Sequence, residues 1–419
     1  MNIGKRLTYL IETYNKIEPD LNTWPIPEVE WSAVLGKKLP LRHELAAILA
    51  EKWNVPIAYL TAYEQNDLTI HRELQQLQHE LLTNDERAAQ RMRDLDQPMS
   101  INSIVQEVIF HLLKAVYHYK ENQLAKAAQI EKDYLAIMLP DRRMLKETVA
   151  FQRAYFYYFG VKYFFEGNAA ESLDYFERLL EKSNDPDEVV SVMQNLALIT
   201  KNNKDYDQAI HYMKELESFS RKLHHNRGLS VALNYLGVLH LLKGSYPTSI
   251  YYFEKLNEME LEPLMQARLY HNLGVLYGKQ DRYEDAIAMY HQTIDWQTSR
   301  GFDDELFFSY HALARNYFHI GNHDQAARFL NKAKEIAKNE EENMLADMLD
   351  ADILEEDNIQ EAIAIYEKAA DYFANLRKLD EIYQKLIKLY EKNGDPNKAG
   401  KYEQLQHKLH IKLEKEKEA

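Results

Sequence analysis

The sequence predicts an all-α chain in which helical hairpins repeat along most of its length. Two observations carry that expectation. Gly (13) and Pro (11) each make up about 3% of the 419 residues, roughly half their usual share. That is too few for the many special backbone positions of a sandwich, a propeller or a doubly wound sheet. In addition, small residues recur at a fixed spacing from residue 115 to residue 399.

The spacing can be counted. Anchors stand at Ala115, Gly160, Ala197, Gly237, Gly274, Ala314, Asp350 and Ile387, separated by 45, 37, 40, 37, 40, 36 and 37 residues. Twelve residues after each anchor comes Ala127, Ser172, Ala209, Ser249, Ala286, Ala326, Ala362 or Ala399, small every time. Seven after each comes Asn122, Gly167, Lys204, Gly244, Asp281, Gly321, Asp357 or Gly394, a turn-forming type in every case but Lys204. Around Gly274, the aromatic Tyr277 follows three later and Tyr290 sixteen later. Such a frame describes two antiparallel helices joined by a tight turn, crossing where the small residues meet. A single hairpin cannot bury its apolar face, so hairpins must stack. Tyr163, Phe176, Phe253, Tyr277, Tyr290, Tyr317, Tyr366 and Tyr390 occupy packing positions, which accounts for much of the tyrosine surplus of 29.

The pattern resembles the tetratricopeptide repeat, most closely around Gly237, Gly274 and Ala314, and least at Ala115, Asp350 and Ile387. It implies a right-handed superhelix of about eight hairpins with a concave groove, over residues 100–412. Residues 413–419 read as a charged tail. Residues 67–99 read as a linker helix with Leu74, Leu77 and Leu81 on one apolar stripe.

Residues 1–66 differ in kind and are expected to form a separate small domain. Five of the eleven prolines lie here (Pro19, Pro25, Pro27, Pro40, Pro56) and three of the four tryptophans, so helices must be short. The spacing predicts helices over about 4–14, 27–35 and 41–53, with a short helix or turn ending near Trp24. Ile3-Gly4-Lys5-Arg6-Leu7 resembles the opening of a phage-repressor-like helix-turn-helix domain. Gly36-Lys37-Lys38-Leu39-Pro40 is similar to the turn that follows its recognition helix, and Leu45 to Leu60 to its closing helix and tail. The family's Gln-x-x-Leu-Ala second helix is absent, replaced by Leu21-Asn22-Thr23-Trp24-Pro25-Ile26-Pro27. That resemblance implies DNA contacts from Lys5, Arg6, Trp31, Ser32, Lys37, Lys38 and Arg42. Residues 1–60 hold seven basic and seven acidic side chains and are neutral, so the whole net charge of −15 falls on the rest. Counterion release needs placed cations; a neutral domain with these five Lys and Arg positions is compatible with it, without being a basic patch. Glu28 and Glu30 oppose deep groove contact, and a helical domain kept for packing or dimerisation is the other reading.

A helix-turn-helix followed by tetratricopeptide repeats is the layout of the Rap/Rgg–Npr–PlcR–PrgX superfamily, and the chain resembles its Npr-type members over nearly its whole length. The resemblance implies a cytoplasmic, non-enzymatic transcription regulator that binds a short signalling peptide in the groove and, as a homodimer or higher oligomer, a palindromic duplex DNA. In that family asparagines on the first helices of successive repeats hold the peptide backbone. An asparagine amide both donates and accepts, as an extended peptide requires. The candidates are Asn195, Asn234 and Asn272, with Gln194, Lys201, His271, Lys279 and Arg315 on the same face; the cations suit a carboxylate. Asparagine near the anchor is also common in plain tetratricopeptide repeats, where it bonds helix to helix. A second reading is a Rap-like protein that grips a response regulator and sequesters or dephosphorylates it.

Other classes are excluded or unsupported. Zero cysteines remove disulfides, thiol nucleophiles and thiolate metal sites. No stretch approaches the roughly 18 apolar residues of a membrane helix, and the first residues lack the apolar core of a signal peptide. No Walker loop, dinucleotide fingerprint or hydrolase elbow is present, so no cofactor or catalytic residue is assigned. His224-His225 cannot share a helical face, and His111 and His118 lack a third ligand, so no metal is expected.

Overall fold

The computed structural model of the chain describes residues 2–13, 28–36, 39–97, 99–139, 148–301, 306–355, 358–373 and 376–418. Lys37, Lys38, Pro98, Asp357 and the element expected to end near Trp24 lie outside them, as does the side chain of Trp31. Every regular element among the described residues is helical. The chain divides into two compact units, residues 1–232 and 233–419.

Four short helices come first: α1 (Ile3–Thr13), α2 (Glu28–Leu35), α3 (His43–Trp53) and α4 (Ile57–Thr61). Leu7, Leu10, Val34, Leu45, Leu49, Trp53 and Leu60 form their common core. Gly4 is required where α1 meets the end of α2, because a Cβ there would lie 3.1 Å from the carbonyl carbon of Leu35. The single linker helix expected over 67–99 is instead two, α5 (Leu68–Thr83) and α6 (Arg87–Leu95). Asn84 reverses the chain between them with a left-handed φ of 58°, and Arg91 of α6 pairs with the buried Glu80 of α5 at 2.9 Å. Leu74, Leu77 and Leu81 are buried as the stripe predicts, and α5 packs on the helices that follow.

Eight hairpins follow. In the first, α7 (Ile104–Lys120) returns as α8 (Leu124–Ile130), which runs through a π-helical turn (Glu131–Leu135) into α9 (Ala136–Met138). The rest are α10 (Val149–Phe165) with α11 (Ala169–Leu180), α12 (Pro186–Asn202) with α13 (Tyr206–Leu223), α14 (Asn226–Leu242) with α15 (Tyr246–Asn257), and α16 (Pro263–Lys279) with α17 (Tyr283–Arg300). They continue as α18 (Leu306–His319) with α19 (His323–Ile336), α20 (Glu340–Leu354) with α21 (Ile359–Tyr372), and α22 (Leu376–Lys392) with α23 (Pro396–Glu418).

The counted frame maps onto this geometry position by position. The small residue twelve after each anchor is buried in all eight hairpins. Every described residue seven after an anchor has a left-handed backbone: Asn122, Gly167, Lys204, Gly244, Asp281, Gly321 and Gly394, with φ between 55° and 75°. Lys204, which broke the pattern by type, obeys it by conformation. The next residue caps the second helix in several hairpins; the Asp205 carboxylate accepts from the Gln208 N–H at 3.0 Å and the Asn322 amide oxygen from Gln325 at 3.2 Å. At the crossing, the ring sixteen residues on lies against the anchor. A Cβ at Gly274 would sit 2.8 Å from the Tyr290 ring, and one at Gly160 3.0 Å from Phe176. The serines at position twelve add a bond, Ser172 Oγ donating to the Gly160 carbonyl at 2.7 Å and Ser249 Oγ to that of Gly237 at 2.8 Å. The divergent anchor Asp350 is half-buried and accepts an ion pair from Lys334 at 2.6 Å.

Two substitutions test this frame. Gly237→Val drives its side chain into Phe253 and is expected to cost about 3 kcal/mol, as overpacking does. Lys204→Gly relieves a left-handed residue and is expected to gain about 1 kcal/mol. Urea midpoints at constant m-value read both.

Candidate functional site

The face built by the first helices of the hairpins in residues 233–419 holds five of the predicted binding residues. Asn234 of α14 is 8% exposed. The Asn272 amide of α16 donates to its side-chain oxygen at 2.8 Å. Two asparagines on successive first helices are thus joined, and the bond spends only one donor and one acceptor. The Asn234 amide hydrogens and the Asn272 oxygen bond no described residue. His271 stands edge-on to Tyr290, ring centroids 5.5 Å apart.

Lys279 and Arg315 line one cavity of about 300 Å³ between α16, α17 and α18, together with Gly278, Asp281, Tyr283 and His319. The Asp281 carboxylate accepts from the Tyr283 hydroxyl at 2.6 Å. The Tyr283 ring stacks on His319 at 4.7 Å. Burial, then the Arg315 charge, holds His319 below the usual histidine range. Burial pulls His311, one turn before Arg315, down to about 4. It is therefore neutral, with Nε2 3.2 Å from the Leu345 carbonyl.

The remaining three predicted residues lie on α12, in the first unit. Asn195 turns its amide onto its own helix, donating to the Ser191 carbonyl at 3.0 Å. Gln194 is half-buried. Lys201 is half-buried too, and burial holds its ammonium below the usual lysine range.

At the N-terminus the expectation for Arg6 is corrected. It was placed at a DNA phosphate, yet it is fully buried. Its Nη1 donates to the carbonyls of Tyr59 at 2.6 Å and Asn102 at 2.5 Å, and its Nη2 to the Glu107 carboxylate of α7 at 2.7 Å. The guanidinium also lies 4.0 Å over the Tyr59 ring, and the Tyr59 hydroxyl donates to the other Glu107 oxygen. A desolvated guanidinium needs such acceptors, and its burial keeps it from a DNA phosphate. Lys5 is held similarly, its Nζ donating to the Leu139 carbonyl at 2.5 Å. Ser32 and Arg42 are exposed; the contact roles of Trp31, Lys37 and Lys38 fall outside the described side chains. Beside this junction His111 stacks on Tyr134, centroids 3.7 Å apart. The first four helices are therefore fastened to the first hairpin by α1 and α4, not strung from it.

Sequence reasoning missed Asn316, which is 3% exposed and lines the cavity. It follows its anchor by two, whereas the other asparagines precede theirs. The available signal was Gly278: a Cβ there would come within 3.3 Å of the Asn316 side-chain oxygen. Among the described residues no group of three metal-ligating side chains occurs, and no helix is long and apolar enough to cross a membrane.

Arg6→Ala leaves Glu107 buried without its cation and is expected to cost about 3–5 kcal/mol, whereas Arg6→Met with Glu107→Leu should recover most of that loss. Burial pushes His111 down to about 3, against about 6.5 in an unfolded chain. Its contribution is full above pH 6.5 and is lost as pH falls toward 3, because the unfolded state then binds the extra proton. His111→Phe should flatten the fall in urea midpoint between pH 7 and pH 4.

Models of the tetratricopeptide repeat match residues 190–222 and 265–339. A search of curated proteins by sequence finds no match. Among solved structures, the apo form of the quorum sensor NprR from B. thuringiensis is 16% identical, aligned over 82% of this chain and 99% of that one, with a TM-score of 0.60. A Rap protein complexed with competence and sporulation factor is 13% identical over 84% and 100%, TM-score 0.60. NprR in complex with its cognate peptide NprX is 16% identical over 82% and 99%, TM-score 0.56. The chain contains tetratricopeptide repeats, is helical in every regular element among the described residues, and shares the fold of the NprR and Rap proteins.

Proposed function

We propose that the chain is a cytoplasmic receptor for a short signalling peptide, and that peptide binding to the first-helix face controls the N-terminal module. The observation that carries this is the Asn272–Asn234 pair at 2.8 Å. An extended peptide presents an N–H and a C=O per residue, and this pair holds a donor and an acceptor in reserve at adjoining positions. One such bond is worth only about 1 kcal/mol net, so further groups on the face must contribute. The fold shared with the peptide complexes of NprR and a Rap protein supports the same assignment. No step requires an enzyme.

For the output, the first reading is transcription control: the N-terminal module of each protomer of a homodimer contacts one half of a palindromic duplex. The resemblance of residues 1–60 to a helix-turn-helix domain supports it, and their lack of net charge is compatible with it. A second reading, in which the module grips a response regulator, is favoured by one observation: Arg6, which a phosphate contact would use, is spent on Glu107.

Asn234→Ala and Asn272→Ala should each weaken peptide retention about fivefold, following the value of one hydrogen bond. Selection from a pool of randomised duplexes at two salt concentrations tests the output. One palindromic site, weakened by salt and lost in Lys37→Glu with Lys38→Glu, is the expected result. Recovery of no sequence, with a response regulator retained by both proteins, would replace the first reading with the second.

A further inference from the structure

We propose that the cavity between α16, α17 and α18 seats the terminal carboxylate of the peptide, and thereby fixes the direction in which the peptide lies. This rests on the peptide-receptor reading above and adds to it a charge requirement and a polarity.

The charges make the case. The chain carries 66 acidic against 51 basic side chains, and several cations of the same unit sit in ion pairs. Lys334 pairs with Asp350 at 2.6 Å, Lys385 with Asp352 and Glu355 at 2.7 Å, and Arg282 with Asp285 at 2.7 Å. Lys279 and Arg315 line one cavity, and neither has an ion-pair partner among the described residues. The one acid that lines it, Asp281, accepts the Tyr283 hydroxyl. Two cations against the single carboxylate of Asp281 leave this concave, half-enclosed surface net positive in an acidic protein, which suits an anion, and a carboxylate takes charge-assisted bonds from both. The missing side chain of Gly278 keeps the floor open over Asn316.

Polarity follows from spacing. Asn272 and Lys279 are seven residues apart on α16, two turns or about 10.5 Å at 1.5 Å per residue. An extended peptide covers that distance in about three residues at roughly 3.3 Å each. With its carboxylate in the cavity, the peptide meets the asparagine pair about three residues upstream, with its N-terminus directed past Asn234. Charge at the C-terminus is then recognised and charge at the N-terminus is not.

The test uses the full chain and two pooled random heptapeptide libraries, identical except that one ends in free carboxylates and the other in amides. Retained peptides are identified by mass spectrometry. The free-acid pool should be retained about tenfold better, in keeping with a charge-assisted contact. Lys279→Ala with Arg315→Ala, both exposed positions, should erase that advantage. Asn234→Ala should weaken retention of both pools alike, and acetylation of the peptide N-termini should change nothing. Equal retention of the two pools by the unmodified protein would overturn the carboxylate seat while leaving the peptide receptor standing. An acid preference that survives the double substitution would place the seat elsewhere and overturn it too. Enrichment of Asp or Glu at one internal position in both pools, lost in the double variant, would assign the cavity to a side-chain carboxylate and overturn the polarity. Retention of neither pool would sink the peptide reading itself, and this proposal with it.

Discussion

The contact between a small residue on the first helix and a large one on the second, in the hairpins from α10 to α19, governs the structure. Gly160 under Phe176, Gly237 under Phe253 and Gly274 under Tyr290 allow approaches that a single added Cβ would block. Close crossing fixes the angle of each hairpin, and the left-handed residue between the helices fixes its length. What remains exposed on the first helices is then set by register alone. Asn234 and Asn272 meet because their helices are held at that separation, and Lys279 and Arg315 border one cavity for the same reason. The first-helix face is a by-product of packing, to which a few polar residues have been added.

The N-terminal module obeys a different constraint. Its four helices share a core of their own, but the Arg6 guanidinium couples α1 to Tyr59 and to Glu107 at the start of the first hairpin. A buried ion pair of this kind contributes little net stability against an apolar replacement, yet is costly to break from one side. It therefore acts as a positional pin. The π-helical turn nearby presents Glu131 to the hydroxyls of Tyr119 and Tyr158 and to Lys162, each at 2.7 Å. The first hairpin thus has a polar residue, Glu131, sixteen after its anchor, where the second has the Phe176 ring, and its match to the repeat is weak for that reason.

Local sterics leave a trace in sequence, and long-range pairing does not. The hairpins were legible because every requirement of a turn or crossing falls within sixteen residues, and even Lys204 sits where the spacing demanded a left-handed residue. The reversal at Asn84 was equally local, but the apolar stripe of Leu74, Leu77 and Leu81 outweighed it. Arg6 was misplaced because Glu107 lies 101 residues away, and nothing around Arg6 distinguishes a buried cation from a phosphate contact. Lys279 and Arg315 were found as surface cations, but their meeting in one cavity depends on the crossing of α16 and α18. Asn195 illustrates the reverse: its spacing matched the other asparagines, yet its amide is turned onto its own helix.

The central claim is that a peptide lies on the first helices of the repeats around Asn234, Asn272, Lys279 and Arg315. Amide hydrogen exchange of the full chain, with and without a peptide retained from the random heptapeptide pool, tests it most directly. Slowed exchange confined to α14, α16 and α18, with the second helices unchanged, is the result this account requires. Protection confined to α1 to α6, or spread evenly over first and second helices, would contradict it.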